Sequence, residues 1–149
     1  MELKHKHILL AEDDKDDRDL FERAVKELAL SVNLSIVKDG EELMNYLSKN
    51  SEQLPDFLFL DLNMPRKNGF ECLVEISENE KLKDISVIIL STSFAQDRNY
   101  EEGMIKNLLK LKASVFIRKP SDFAQLKQVI LDALTLTAES NELKHILNA

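Results

Sequence analysis

Five side chains with complementary chemistry stand directly after short apolar stretches of this 149-residue chain. The acids Glu12 and Asp13 follow one stretch, Asp61 follows another, and Ser91 and Lys119 close two more. A carboxylate can act as a nucleophile toward phosphorus, and clustered carboxylates need a cation such as Mg²⁺ to offset their repulsion. An ammonium and a hydroxyl can hold phosphoryl oxygens. If the five side chains meet in space, they suit the transfer of a phosphoryl group to a carboxylate.

The apolar stretches are predicted to be buried strands, because they lack the alternation of half-exposed strands. Amphipathic segments with helical spacing separate them. The predicted strands are 8–11, 34–37, 57–60, 87–90 and 115–117, and the predicted helices are 16–28, 39–47, 69–77, one around 100–111 and one around 123–133. Asp39 is predicted to cap the second helix with Glu42 as its capping-box partner. This pattern is a βα unit repeated five times, which indicates an α/β fold with a parallel sheet covered on both faces.

The predicted sheet explains how the five side chains could meet. In an open α/β sheet, ligands bind beyond the carboxyl ends of the strands, which is where all five would lie. The neighbouring acids Asp16, Asp17 and Asp19 are interpreted differently, as solvated acids of a helix start, because the helix dipole favours negative charge there.

Composition narrows the class of protein. A net charge of −7 argues against general nucleic-acid binding, which depends on neutralising phosphates. The single cysteine, Cys72, excludes an internal disulfide and is typical of a reducing compartment. No apolar run is long enough for a membrane helix or a signal peptide. We therefore expect one cytoplasmic domain with no nucleic-acid or membrane partner.

Four motifs, each at the end of a predicted strand, resemble the receiver domains of bacterial two-component response regulators. They are Glu12-Asp13-Asp14, Asp61-Leu62-Asn63-Met64-Pro65, Ser91-Thr92 and Lys119-Pro120. The resemblance implies a flavodoxin-like (βα)5 fold with five parallel strands in the order 2-1-3-4-5, and a receiver domain over 1–134. It extends to stand-alone regulators that serve phytochrome-like sensor kinases.

The resemblance also implies a role for each matching residue at the site. Asp61 would be the phosphoacceptor, and Lys119 would contact the phosphoryl group. Mg²⁺ would be held by the side chains of Asp13 and Asp61, by the backbone carbonyl of Asn63, and through water by Glu12.

Two further residues would form the switch of such a domain. Ser91 takes the hydroxyl position, which swings toward the phosphoryl group, and Phe116 takes the aromatic position, whose ring follows inward. A partner protein would then recognise the surface of the fourth helix, fifth strand and fifth helix. A histidine kinase or a histidine phosphotransfer protein would supply the phosphoryl group, and the downstream target stays open. The chain would catalyse nothing beyond its own phosphorylation and dephosphorylation.

Two other functions would use part of the same residue set. A phosphohydrolase of the haloacid-dehalogenase type also uses an aspartyl nucleophile, Mg²⁺, a hydroxyl and a lysine. Its nucleophile stands on the first strand, however, with an acid two residues later, whereas Asp61 follows the third predicted strand and Asn63 cannot act as a general acid. A scaffold that is never phosphorylated is disfavoured because the whole set of site residues is intact.

The end of the chain carries three further predictions. The Lys119–Pro120 peptide bond is predicted to be cis, so that the lysine can turn back over the site. The segment 135–149 is predicted to be a helical tail with no output domain, which packs either on its own domain or on a second copy. The favoured arrangement is a homodimer through the surface of the fourth helix, fifth strand and fifth helix. The apolar residues with helical spacing in this tail are Leu136, Leu143, Ile146 and Leu147.

Overall fold

The computed structural model describes residues 5–91, 103, 106–108, 110–111, 113–139 and 145–147. One parallel sheet runs through this part of the chain, in the order β2-β1-β3-β4-β5-β6. The predicted order 2-1-3-4-5 is confirmed, and a sixth strand extends the sheet beyond β5. The strands are β1 (His7–Ala11), β2 (Asn33–Val37), β3 (Phe57–Asp61), β4 (Ser86–Ser91), β5 (Ala113–Arg118) and β6 (His145–Leu147).

Helices connect the strands and cover the sheet. They are α1 (Lys15–Glu27), α2 (Gly40–Lys49), α3 (Gly69–Glu78) and α4 (Phe123–Glu139), with a 3-10 turn at Glu80–Leu82. The last of these, α4, corresponds to the fifth predicted helix. The fourth predicted helix falls mostly outside the described residues, of which Gly103, 106–108 and 110 are helical. Among the residues described, no helix combines the length and the apolar character needed to cross a bilayer.

The start of α2 differs from the prediction in one detail. Asp39 caps the helix by accepting the backbone N–H of Glu42 at 2.8 Å, as predicted. The Glu42 carboxylate accepts the N–H of Lys38 instead of that of Asp39, so the second half of the predicted capping box is replaced. The complete capping box lies at α3, where Asn68 and Glu71 each accept the other's backbone N–H.

Successive strand side chains enter two separate cores, one on each face of the sheet. Leu9 and Leu58 belong to the core that packs against α2 and α3. Ile8 and Phe59 belong to the core that packs against α1 and α4, where the rings of Phe21 and Phe59 meet edge to face with centroids 4.9 Å apart. Because β1, β3 and β4 are buried in apolar contacts on both faces, charged side chains can be buried only at the ends of these strands.

The tail after α4 departs from the predicted helix. Helix α4 continues through Leu136 to Glu139, but His145–Leu147 forms β6, which pairs in parallel with Val115–Ile117 of β5. The prediction of a helix is therefore wrong at 145–147, whereas Leu143 lies outside the described residues. The physical reason is the edge of β5, whose N–H and C=O groups can be paired by a strand and not by a helix.

Candidate functional site

Three carboxylates meet at the carboxyl end of the sheet. Strands β1 and β3 are adjacent and parallel, with Ala11 opposite Leu60, so the acids that follow this pair lie side by side. One oxygen from each of Glu12, Asp13 and Asp61 lies within 4.8 Å of the other two. Glu12 and Asp61 are buried, and Asp13 is exposed. Two acids of the cluster are thus shielded from solvent, and the third is accessible to it.

The first turn of α1 shapes the connection that carries two of these acids. Asp14 caps the helix by accepting the N–H of Asp17 at 2.9 Å. Arg18 reaches back and donates to the backbone carbonyl oxygens of Glu12 and Asp13 at 3.2 and 2.7 Å. The Glu12 carboxylate in turn accepts the N–H of Asp14 at 3.2 Å. These bonds hold the acids against the positive end of the helix dipole.

Lys119 brings a positive charge into the cluster from the end of β5. Its backbone N–H donates to the carbonyl oxygen of Ser91 at 2.7 Å. Its Nζ donates to Glu12 Oε1 at 2.6 Å and to Asp17 Oδ2 at 3.2 Å, and it lies 3.6 Å from Asp61 Oδ2. The structure therefore brings Lys119, Glu12, Asp13 and Asp61 together at one edge.

The Lys119–Pro120 peptide bond is trans, so the predicted cis bond is wrong. The prediction assumed that the backbone must reverse for the ammonium to return over the site. The four methylenes of the lysine side chain span the distance to Glu12 and Asp61 from a trans bond, which makes the reversal unnecessary.

The electrostatics of the cluster are dominated by Asp61. Burial, and then the hydrogen bond and negative charge of Glu12, raise the pKa of Asp61 to about 8, against the opposing effect of Lys119. Burial alone would lower the pKa of Lys119. The hydrogen bond to Glu12 and the charges of Asp61, Glu12 and Asp17 outweigh it and raise that pKa. The site thus holds more negative charge than its one ammonium neutralises.

This donor set fits a divalent cation that prefers oxygen. The three clustered carboxylates supply hard oxygen ligands, as Mg²⁺ requires. The backbone N–H of Asn63 donates to Asp61 Oδ1 at 3.2 Å, which keeps the Asn63 backbone beside the cluster. A bound cation would also remove the repulsion that raises the pKa of Asp61.

Ser91 and Phe116 lie on the two strands beyond β3. The register pairs Asp61 with Leu90, so Ser91 is one residue past the neighbour of Asp61. Both Ser91 and Phe116 are completely buried. The Phe116 ring packs in the core on the α2 and α3 side, with the Arg118 guanidinium carbon 5.8 Å from its centroid.

Sequence reasoning missed the contribution of Asp17. This acid is interpreted in the sequence as a solvated helix-start residue, yet its carboxylate accepts from Lys119 Nζ. Its position in the first turn of α1, directly after the acids that follow β1, is the signal that could have found it. Asp17 also borders a cavity of about 60 Å³. The residues lining this cavity are Leu10, Glu12, Asp17, Leu20, Phe21, Leu90, Lys119, Pro120 and Leu126.

Comparison with known families and proteins gives concordant results. A family model described as the response regulator receiver domain matches residues 8–131. Response regulator Rcp1 of Synechocystis sp. is 40% identical over 96 residues, which are 62% of this chain and 65% of that protein, so the match spans less than two thirds of Rcp1. The probable methanogenesis regulatory protein FilR2 of Methanothrix harundinacea is 29% identical over 126 residues, covering 83% of this chain and 77% of that protein.

Solved structures show the same arrangement of elements. The phosphorylated cyanobacterial phytochrome response regulator RcpA has a TM-score of 0.77 at 34% identity, with 91% of this chain and 97% of that chain covered. The bacteriophytochrome response regulator RtBRR has a TM-score of 0.71 at 31% identity, with 87% and 78% covered. The Mn²⁺-bound form of Rcp1 has a TM-score of 0.75 at 29% identity, with 91% and 96% covered.

Proposed function

Because the chain belongs to the response regulator receiver domains of two-component signalling, we propose that it accepts a phosphoryl group on Asp61 with the help of Mg²⁺. The observation that carries this proposal is the cluster of Glu12, Asp13 and Asp61 within 4.8 Å. Lys119 Nζ donates to Glu12 at 2.6 Å and lies 3.6 Å from Asp61 Oδ2. The phosphohydrolase alternative has no comparable support, since the family match covers residues 8–131.

In the proposed reaction, a carboxylate oxygen of Asp61 attacks the phosphorus of the donor. A new oxygen–phosphorus bond forms, and the bond from phosphorus to the donor's leaving group breaks, with the electron pair going to that group. When bound, Mg²⁺ supplies charge neutralisation for the incoming phosphoryl oxygens. Glu12, Asp13, Asp61 and the Asn63 carbonyl are the residues proposed to hold it. Lys119, already beside Asp61, supplies the remaining positive charge.

The signal is proposed to leave the site through Ser91 and Phe116. Ser91 stands at the end of β4, beside the end of β3 that carries Asp61. Phe116 lies on β5, opposite Ile89 of β4. A hydroxyl that moves toward the phosphoryl group would change the packing that Phe116 shares with β4. The proposed outcome is a changed surface around the fourth predicted helix, β5 and α4, which a partner protein can recognise.

The proposed phosphodonor is a histidine kinase or a histidine phosphotransfer protein. Two structural relatives, RcpA and RtBRR, are described as phytochrome response regulators, which supports a phytochrome-like sensor kinase as the donor here. A homodimer through the surface of the fourth predicted helix, β5 and α4 is also proposed. Because β6 pairs with β5, a second copy would meet β6 at this side of the sheet.

The decisive experiment is phosphorylation of the purified protein with acetyl phosphate and Mg²⁺, followed by intact-mass spectrometry. One phosphoryl group per chain is expected, and none is expected for Asp61→Asn or in the presence of EDTA. Asp84→Asn is a matched control, because Asp84 is an exposed acid away from the cluster. This variant should be labelled like the natural sequence.

Each other outcome has a definite meaning. Undiminished labelling of Asp61→Asn would reject Asp61 as the acceptor. Labelling that persists in EDTA would reject the metal requirement. Multiple turnover of a small phosphate monoester would favour the phosphohydrolase over the receiver.

A further inference from the structure

The loop between β3 and α3, residues 62–68, is tied to the start of α2 by an ion pair. Arg66 Nη1 donates to Asp39 Oδ2 at 2.7 Å. The Asp39 side chain is 7% exposed, and its other oxygen is occupied as the cap of α2. Arg66 has a φ of 65°, a left-handed conformation that costs a non-glycine residue about 1 kcal/mol or more. The residue in this unfavourable conformation is thus the one whose side chain reaches Asp39.

The loop and α2 also fit too closely for a side chain between them. A Cβ on Gly40 would overlap the carbonyl oxygen of Lys67, so only glycine permits this approach. On the far side, the Cys72 thiol of α3 lies 3.6 Å from the Gly40 carbonyl oxygen. The part of the loop at Lys67, directly after Arg66, therefore packs against the first turn of α2.

The other part of the loop is continuous with the proposed metal site. It follows directly after Asp61, the last residue of β3, and contains Asn63, whose N–H donates to the Asp61 carboxylate. The loop closes where the N–H of Gly69 donates to the Leu62 carbonyl oxygen at 3.0 Å. A Cβ on Gly69 would overlap the Asp61 carbonyl oxygen. A shift of the part of the loop at Arg66 would therefore be transmitted to Asp61 and Asn63 through a short, tightly closed segment.

We propose that the Arg66–Asp39 ion pair is a latch that holds the 62–68 loop in the conformation that binds the metal ion. The latch rests on the proposed function, because it acts on the proposed ligands Asp61 and Asn63. Arg66 and Asp39 are positioning residues in this proposal, since neither touches the cluster. By the same linkage, metal binding would stabilise the contact between the loop and α2.

The charges of the two residues make the latch distinguishable from simple electrostatics. Removing the positive charge of Arg66 should by Coulomb's law strengthen the binding of a cation nearby. Removing the negative charge of Asp39 should weaken it. A latch predicts weaker binding in both cases, so the sign of the Arg66 effect separates the two explanations.

The test measures Mn²⁺ affinity from the electron paramagnetic resonance signal of the free ion, with the full chain and no phosphodonor. Arg66→Ala should weaken binding about fivefold, equivalent to about 1 kcal/mol. Asp39→Asn should also weaken it, and it keeps the cap because asparagine caps helices as well as aspartate does. The double variant should bind no more weakly than the weaker single variant, since either change opens the same latch.

Arg23→Ala is the matched control. Arg23 has the same side-chain exposure as Arg66, 63%, and forms an ion pair of 2.8 Å with Glu27, but it lies within α1. Its removal should leave the Mn²⁺ affinity unchanged. Thermal unfolding without metal is recorded for every variant, to separate a loss of stability from a loss of affinity.

The outcomes distinguish the latch from the function on which it rests. Arg66→Ala that binds Mn²⁺ as tightly as the natural sequence, or more tightly, overturns the latch, and so does a variant that is less stable with unchanged affinity. If Arg66→Ala fails to fold, Arg66→Lys takes its place with a smaller expected loss, because lysine keeps the charge without the guanidinium geometry. A natural sequence that binds no Mn²⁺ overturns the metal-dependent function itself, and the latch with it.

Discussion

The two ends of the parallel sheet differ in how their polar side chains are paired. At the carboxyl end, Glu12 and Asp61 are buried with excess negative charge, and the pKa of Asp61 is raised to about 8. At the amino end, His7, Ser35 and Tyr46 form a small hydrogen-bonded group. Its distances are 2.9 Å from His7 Nε2 to Ser35 Oγ and 3.3 Å from the Tyr46 hydroxyl to each of the others.

The two groups are expected to contribute differently to the free energy of unfolding. The amino-end group is half-buried and each member finds partners within the group, so its polar atoms are paired at little electrostatic cost. The carboxyl-end cluster places like charges together in a partly buried site, which costs stability unless a bound group offsets the repulsion. The polar group at the amino end is therefore expected to stabilise the fold, and the cluster at the carboxyl end is expected to bind a ligand.

The largest effect is expected from Lys119→Ala at the carboxyl end. Loss of the ammonium beside Asp61 should slow phosphorylation by acetyl phosphate about 100-fold, because the phosphoryl oxygens lose a fixed positive charge. Lys127→Ala is the control, since Lys127 forms a 3.2 Å ion pair with Glu27 on the surface between α4 and α1. Intact-mass time courses measure both. An unchanged rate for Lys119→Ala would remove this residue from the reaction.

Asp61→Asn should stabilise the metal-free protein by about 1–2 kcal/mol at pH 8. Asparagine removes a buried negative charge that lies beside Glu12. The natural sequence should show a matching pH dependence. Since the folded pKa of Asp61 is about 8 and its ordinary value is 3.8, the folded state retains a proton between these values that the unfolded state has lost. The stability contributed by this group is present below about pH 4 and is lost as the pH rises to about 8.

Urea unfolding in the presence of EDTA from pH 5 to 8 measures this prediction. The natural sequence should lose stability relative to Asp61→Asn as the pH rises, and Mg²⁺ in place of EDTA should restore most of the difference. Parallel pH profiles for the two proteins would show that Asp61 is not the group responsible.

Tyr46→Phe at the amino end should have the smallest effect. It removes one hydroxyl from the group with His7 and Ser35, and it should lower the free energy of unfolding by about 1 kcal/mol. Mn²⁺ affinity and phosphorylation should not change, because the group lies at the opposite end of the strands. A change in metal affinity would contradict the separation between the two ends.

Local chemistry explains which features could be predicted from the sequence. Apolar strands between amphipathic helices indicated the parallel sheet, because burial on both faces leaves no room for polar alternation. The ends of those strands then located Glu12, Asp13, Asp61, Ser91 and Lys119, since parallel strands place their carboxyl ends at one edge. These inferences need only the period of the pattern and the direction of the chain.

Other features depended on contacts between distant segments. Asp17 looks like an ordinary helix-start acid until Lys119, 102 positions later in the chain, lies 3.2 Å from it. The pair of Arg66 and Asp39 forms only when the loop after β3 folds onto α2. A hydrogen bond or ion pair of this kind leaves no periodic signal, because its partners are chosen by the packing of elements and not by their spacing.

The sequence by itself determined the elements, their parallel arrangement and the edge at which the acids gather, because hydrophobic periodicity and strand direction are local properties. Only the tertiary structure decided the trans peptide before Pro120, the strand at His145–Leu147 and the raised pKa of Asp61. Each of these depends on distances between groups far apart in the chain. The reach of a lysine side chain, an open sheet edge and the burial of a second carboxylate are set when the elements pack, and not before.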